Sequence, residues 1–217
     1  MNTYLDFIKV LEKAALKANR DIEDIELIAV SKKKPAELVR QVIDNGCQSF
    51  GENQLQEVEH KWAELKQEYP RVKLHFVGNI QSKKTEKIFK LCDVIHSIDR
   101  EKIVQILKSC EDQFNLKKDY FIQINTGNEP QKSGVSVDKS EAFIDKCINE
   151  YKLQVKGLMC IPPQDEKPEE HFLKLKDVGK NFNLPYLSMG MSEDYETAIK
   201  CGATHIRVGT KIFGKRS

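Results

Sequence analysis

The apolar positions of this 217-residue chain alternate between two spacings. Short, nearly continuous runs suit buried strands, and runs with a three-to-four spacing suit one face of a helix. Tyr4, Ile8, Leu11 and Ala15 form the first helical stripe, which Asn19-Arg20-Asp21 interrupts. The run from Ile25 to Lys32 then predicts a buried strand. Pro35 sits where a first helical turn tolerates it, and Leu38, Val39, Val42 and Ile43 carry a helix to the stop signal Asn45-Gly46. The alternation repeats, with strands predicted over 48–53, 72–78, 94–98, 120–125, 153–161, 184–190 and 204–209. Helices are predicted over 55–68, 83–91, from a cap at Asp99 to Cys110, and over 139–150, 169–182 and 192–201.

Eight strands, seven of them followed by helices, recur at roughly 20 to 35 residues, the unit length of a (β/α)8 barrel. The predicted fold is α/β, a single (β/α)8 TIM-type barrel with an extra N-terminal helix, one domain over 1–217. An open, doubly wound sheet is the competing arrangement, but no Gly-x-Gly-x-x-Gly follows the first strand and no phosphate-binding P-loop occurs. The tail from Thr210 to Ser217 is too short for a full closing helix. The N-terminal helix is expected to cover part of that gap.

Composition narrows the partners. Thirty-five basic and thirty-three acidic residues leave a net charge of +2, with no basic stripe interleaved with aromatics, which argues against nucleic acid. Six cysteines stand far apart, without C-x-x-C spacing, and the five histidines show no zinc-ligand spacing. Asp6, Lys9, Glu12 and Lys13 interrupt the first segment, so it is not expected to be a signal peptide, and no run is long enough to cross a bilayer. A cytoplasmic, monomeric protein with reduced thiols is expected.

In a barrel all strand C-termini meet at one mouth. Lys32, Asn53, His75, Gly78, Asn125, Ser188, Met191, Ser192, Arg207, Gly209 and Thr210 would gather there. Lys32 either opens a solvated loop with Lys33 and Lys34, or serves as a partly desolvated amine suited to Schiff-base chemistry. The segments Ser188 to Ser192 and Arg207 to Thr210 offer hydroxyls, backbone amides and a helix N-terminus near Ser192, the usual barrel phosphate site. Alternatively their glycines permit tight turns and their hydroxyls cap helices. Arg207 either pairs with a carboxylate such as Glu52 or faces a pyridine nitrogen. One nucleophilic lysine, one phosphate cradle and one arginine fit one ligand, pyridoxal 5′-phosphate.

The sequence resembles the pyridoxal phosphate homeostasis protein family, relatives of the barrel domain of alanine racemase, over nearly its whole length. The resemblance rests on Ala29-Val30-Ser31-Lys32, Phe50-Gly51-Glu52-Asn53, the segment from His75 to Lys83, and Lys132-Ser133-Gly134. Gly157-Leu158-Met159, the segment from Leu187 to Ser192 and that from Arg207 to Gly214 complete it. Asn79 departs from the pattern, standing where the family often has proline. The resemblance implies a Schiff base on Lys32 and phosphate contacts from Ser192 and Gly209-Thr210, with Ser188 and Met191 nearby. It implies Arg207 towards the pyridine nitrogen and Asn53 and His75 lining the pocket. It further implies a role in intracellular vitamin B6 balance without established turnover, with PLP-dependent apo-enzymes as possible recipients.

A racemase or lyase of the alanine-racemase type is the alternative. Racemisation needs a base on each face of the substrate carbon. The expected chain stops soon after the barrel, without the additional β domain that supplies a tyrosine in such enzymes. Tyr120 and Tyr186 are expected to pack within strands, and Tyr195 to play a structural part.

Overall fold

A computed structural model describes residues 3–214 of the chain. The chain opens with α1 (Thr3–Lys17), which buries Tyr4, Phe7, Leu11, Ala14 and Ala15. β1 (Glu26–Val30) leads through a turn to α2 (Ala36–Asp44), and β2 (Ser49–Glu52) leads to a helix formed by α3 (Leu55–Glu57), a wide π turn over Val58–Trp62, and α4 (Ala63–Glu68). Next come β3 (Lys73–Phe76) with α5 (Thr85–Leu91), β4 (Val94–Ile98) with α6 (Glu101–Phe114), and β5 (Asp119–Asn125). A two-residue strand β6 (Val135–Ser136), absent from the sequence reading, precedes α7 (Val137–Asp145). The chain continues through β7 (Val155–Met159), α8 (Pro168–Asn181), β8 (Tyr186–Ser188), α9 (Tyr195–Lys200), β9 (His205–Val208) and α10 (Thr210–Phe213).

Every strand pairing is parallel. The order β4-β3-β2-β1-β9-β8-β7-β5 closes on itself through a β4–β5 pairing, so eight strands make a closed barrel, with β6 appended to β5. Closure removes both sheet edges, which an open doubly wound sheet would leave. Parallel strands require crossovers, and the helices supply them on the outside.

The main apolar core lies between strands and helices, where Phe50, Leu74, Phe76, Trp62, Phe89, Leu107 and Phe172 are buried. All six cysteines are free and buried in this layer. The barrel interior differs. A small cluster of Val94, Phe121 and Met159 is surrounded by buried His75, His96, His205, Ser188 and Arg207. Barrel interiors are commonly filled by branched aliphatic side chains, and this one departs from that pattern.

Among the described residues, the last strand is followed only by the four-residue α10. Thr3 Oγ1 donates to the Ile212 carbonyl, and Phe7 meets Tyr195 edge-to-face at 5.4 Å, so α1 packs over the α9–α10 side. The sequence expectation for Asp99 is corrected. Arg100, not Asp99, is the N-cap of α6, and Asp99 pairs with the Arg100 guanidinium at 2.6 Å.

Candidate functional site

The C-terminal mouth opens into a cavity of about 610 Å³. Its wall includes Lys32, Asn53, Met191, Ser192, Arg207, Gly209 and Thr210, together with Val30, Val77, Gly78, Asn79, Gln123, Asn125, Lys132, Ser133, Ile161 and Glu193. Seven of the nine residues singled out as cofactor ligands therefore share one cavity. His75 and Ser188 do not. β3 ends at Phe76, and it is Val77 and Gly78 that reach the mouth, leaving His75 one layer deeper. Ser188 is fully buried behind Arg207, whose Nη1 donates to its hydroxyl at 2.8 Å.

Lys32 follows β1 in a turn that Lys61 organises. The Lys61 ammonium donates to the Ser31 carbonyl at 2.7 Å and the Lys34 carbonyl at 3.2 Å. It also pairs with Glu52 at 2.7 Å and Glu57 at 3.3 Å. Glu52 Oε1 in turn accepts from the Ser31 hydroxyl at 2.6 Å and from Trp62 Nε1 at 3.1 Å. Strand alternation explains this cluster. Gly51 and Asn53 face the interior, so Glu52 faces outward, beneath the helix that carries Lys61 and Trp62. The alternative pairing of Glu52 with Arg207 is thereby overturned, because the two lie on opposite sides of the barrel wall.

Arg207 stands on the inner face of β9, 5% exposed. Among the described residues, two of its five N–H groups are engaged, one by Ser188 and one by the Cys160 carbonyl at 2.9 Å. Burial lowers its proton affinity, partly offset by Cys160 and Asp194. Burial likewise raises the Asp194 carboxyl above its ordinary value, opposed by its hydrogen bond from the Met191 amide and by Arg207.

Two glycines shape the mouth. A side chain on Gly78 would place Cβ 2.0 Å from the Asn53 carbonyl oxygen, so the ends of β2 and β3 can cross only with glycine there. Gly190 has φ of +95°, and a Cβ would meet that of Ala198 at 2.5 Å. The turn after it runs to Asp194, so α9 starts at Tyr195 rather than near Ser192 as the sequence suggested. On the far side, Asn125 Nδ2 donates to the Glu129 carbonyl at 2.8 Å and Gln123 Nε2 to the Ser133 carbonyl at 3.1 Å, which folds the 127–133 loop over the mouth.

A family model described as alanine racemase, N-terminal domain, matches residues 11–217. The pyridoxal phosphate homeostasis protein of Pseudomonas aeruginosa is 40% identical over 211 residues, covering 95% of this chain and 91% of the relative. That of Aquifex aeolicus is 34% identical over 215 residues, covering 95% and 93%. The chain belongs to the pyridoxal phosphate homeostasis protein family. Among solved structures similar to this homeostasis-family barrel, PipY of Synechococcus elongatus without PLP superposes with a TM-score of 0.84 at 31% identity, over 94% of this chain and 99% of that one. PipY with PLP bound gives 0.80 at 29%, over 94% and 100%. Alanine racemase of Clostridium difficile shares the barrel alone, with a TM-score of 0.76 at 12% identity and 57% of its length covered.

Proposed function

We propose that this chain binds pyridoxal 5′-phosphate in the C-terminal cavity and holds it as a Schiff base on Lys32. It would serve cytoplasmic vitamin B6 homeostasis as a monomer, without catalytic turnover of its own. The observation that carries the reading is the convergence of Lys32, Arg207 and the Ser192 and Gly209-Thr210 turns on one cavity. The relatives' names and the PLP-bound PipY structure support it.

The donor set suits the cofactor. Asn53 Oδ1 is buried on the cavity side without a hydrogen-bond partner among the described residues, which a ligand would satisfy. A Cβ on Gly209 would sit 3.0 Å from the Val30 carbonyl oxygen, so glycine lets the chain after β9 pass close to the end of β1. Ser192, Thr210 and the amides of the first turn of α10 would hold the phosphate. Arg207 would face the pyridine nitrogen as a permanent donor, and so leave it unprotonated. When bound, the cofactor supplies an electrophilic aldehyde. The Lys32 amine would be the group on this chain that engages that aldehyde, reversibly and with loss of water.

Racemase or lyase activity is the second reading, favoured by the shared barrel of alanine racemase. The tyrosines available as a second base are placed elsewhere. Tyr120 donates to Glu111 at 3.0 Å, Tyr195 to Glu196 at 3.1 Å, and Tyr186 lies at the opposite mouth.

Borohydride reduction of the PLP-loaded protein followed by peptide mapping tests the assignment. Label on Lys32 is expected, and Lys32→Ala should lose the visible absorption band while remaining folded. A band that survives on another lysine would refute the role of Lys32. Steady racemisation of single L-amino acids, above the rate of free cofactor, would refute the non-catalytic reading.

A further inference from the structure

The barrel interior contains a polar assembly that the cofactor contacts do not use. At the N-terminal mouth, the Glu26 carboxylate stands 3.3 Å from His75 Nε2 and 3.2 Å from His205 Nε2, and it accepts from the Ser49 hydroxyl at 2.6 Å. His75 Nδ1 is 2.9 Å from His96 Nε2. His96 Nδ1 is 2.9 Å from the Ser188 hydroxyl, which accepts from Arg207 Nη1 at 2.8 Å. One ion-pair contact and three hydrogen bonds thus join a solvent-facing carboxylate at one end of the barrel to the guanidinium at the other.

Both ends of this chain have fixed roles. A carboxylate only accepts and a guanidinium only donates. With both rings neutral, one arrangement of protons suits every contact: His75 turns its Nε2–H towards Glu26, His96 donates from Nε2 to His75, Ser188 donates to His96, and Arg207 donates to Ser188. In that arrangement all donors point towards Glu26. A second proton on both rings would set donor against donor between His75 and His96. His96 is also clamped by stacking on Phe121, with centroids 4.2 Å apart and planes 4° from parallel. From the surrounding strands, Lys73 on β3, Lys156 on β7, Asp119 on β5, Tyr186 on β8 and His205 on β9 line an opening of about 200 Å³ beside Glu26 and His75. Burial pulls both wire histidines below their ordinary value, in keeping with neutral rings.

We propose that Glu26, His75, His96 and Ser188 are positioning residues, a one-way hydrogen-bond wire along the barrel axis that keeps Arg207 aimed into the cofactor cavity. The proposal rests on the reading of that cavity as a pyridoxal phosphate site. Without the wire the Ser188 proton is free to turn towards Arg207, and the guanidinium loses one of its two fixed acceptors. Glu26 thereby influences cofactor retention from the opposite mouth.

The test is a double-mutant cycle on the PLP-loaded protein, using Glu26→Gln and Ser188→Ala, with the cofactor dissociation rate and the visible spectrum as readouts. Glutamine can donate as well as accept, so it releases the direction of the wire with little change of shape. Ser188→Ala is expected to speed dissociation about tenfold, about 1.4 kcal/mol. Glu26→Gln should speed it several-fold in the wild-type background and leave it unchanged in the Ser188→Ala background. Equal effects in both backgrounds, or none in either, would overturn the wire. Should Glu26→Gln fail to fold, His96→Asn replaces it in the same cycle with the same expected non-additivity. Nitrogen NMR of the cofactor-free protein gives an independent reading, with both His75 and His96 expected as neutral Nε2–H tautomers. A protonated ring or an Nδ1–H tautomer at neutral pH would refute the proposal. If the wild type failed to retain pyridoxal phosphate at all, the cofactor reading would fall while this NMR result still judged the wire.

Discussion

Lys61 shows how much of the site depends on a residue that touches no ligand. Its ammonium, 8% exposed, ties the Ser31 and Lys34 carbonyls to the fully buried Glu52. Removing one partner of a buried ion pair leaves the other charge uncompensated, which generally costs about 3–5 kcal/mol. Lys61→Met is expected to lose stability on that order in urea unfolding, and to lose much less when Glu52→Gln is already present. Additive losses would contradict the pairing. Little of this was legible in the sequence. Lys61 reads as one more helix-surface lysine, and only a helix register altered by the π turn at Val58–Trp62 brings it and Trp62 onto the same carboxylate. Lys32, Arg207 and Ser192 were legible, because strand ends in a barrel share one mouth whatever the exact register. His75 and Ser188 were misplaced by a single layer, since the period of two fixes the face a residue occupies but not its depth.

At the scale of elements, strand and helix order followed from apolar spacing, whereas ends and short insertions did not. β6 is two residues long and leaves no periodicity to detect. α9 begins late because Asp194 holds the preceding turn through the Met191 amide. α6 runs on to Phe114, one turn past Cys110, and stops at Asn115, which adopts a left-handed conformation. The packing of α1 compensates for the short α10. Phe7 is 4% exposed and supplies the ring that meets Tyr195. Truncating a buried phenylalanine typically costs about 3–5 kcal/mol. Phe7→Ala should lower stability by that order in a denaturant melt, and a loss below about 1 kcal/mol would show that α1 is a loosely attached appendage.

For the molecule as a whole, the buried histidines set the response to acid. His75 and His96 are held below their ordinary value of 6.5 by burial, so the folded barrel keeps them neutral while the unfolded chain protonates them. Below pH 6.5 the unfolded state binds more protons, and stability falls as the pH falls. Glu26 adds a second loss below 4.5. Burial raises its carboxyl, but the neighbouring His205 and His75 rings outweigh that and hold it well below the usual range. Glu111 and Asp194, both raised by burial, act with the opposite sign and soften this second phase. Each histidine contributes a slope of at most about 1.4 kcal/mol per pH unit. Urea midpoints should therefore hold steady above pH 7 and drop between pH 6.5 and 5.5, and a flat profile there would contradict neutral rings.

A protein that takes charge of a reactive aldehyde must also keep that aldehyde away from its own sulfur. Thiolates are stronger nucleophiles than most groups in a cell. Here all six lie behind the strands, and burial raises the proton affinity of every one of them, so none is poised to form a thiohemiacetal. With the proposed tether on Lys32, selectivity for nitrogen over sulfur would be decided by where the barrel puts each atom, ahead of any difference in their reactivity.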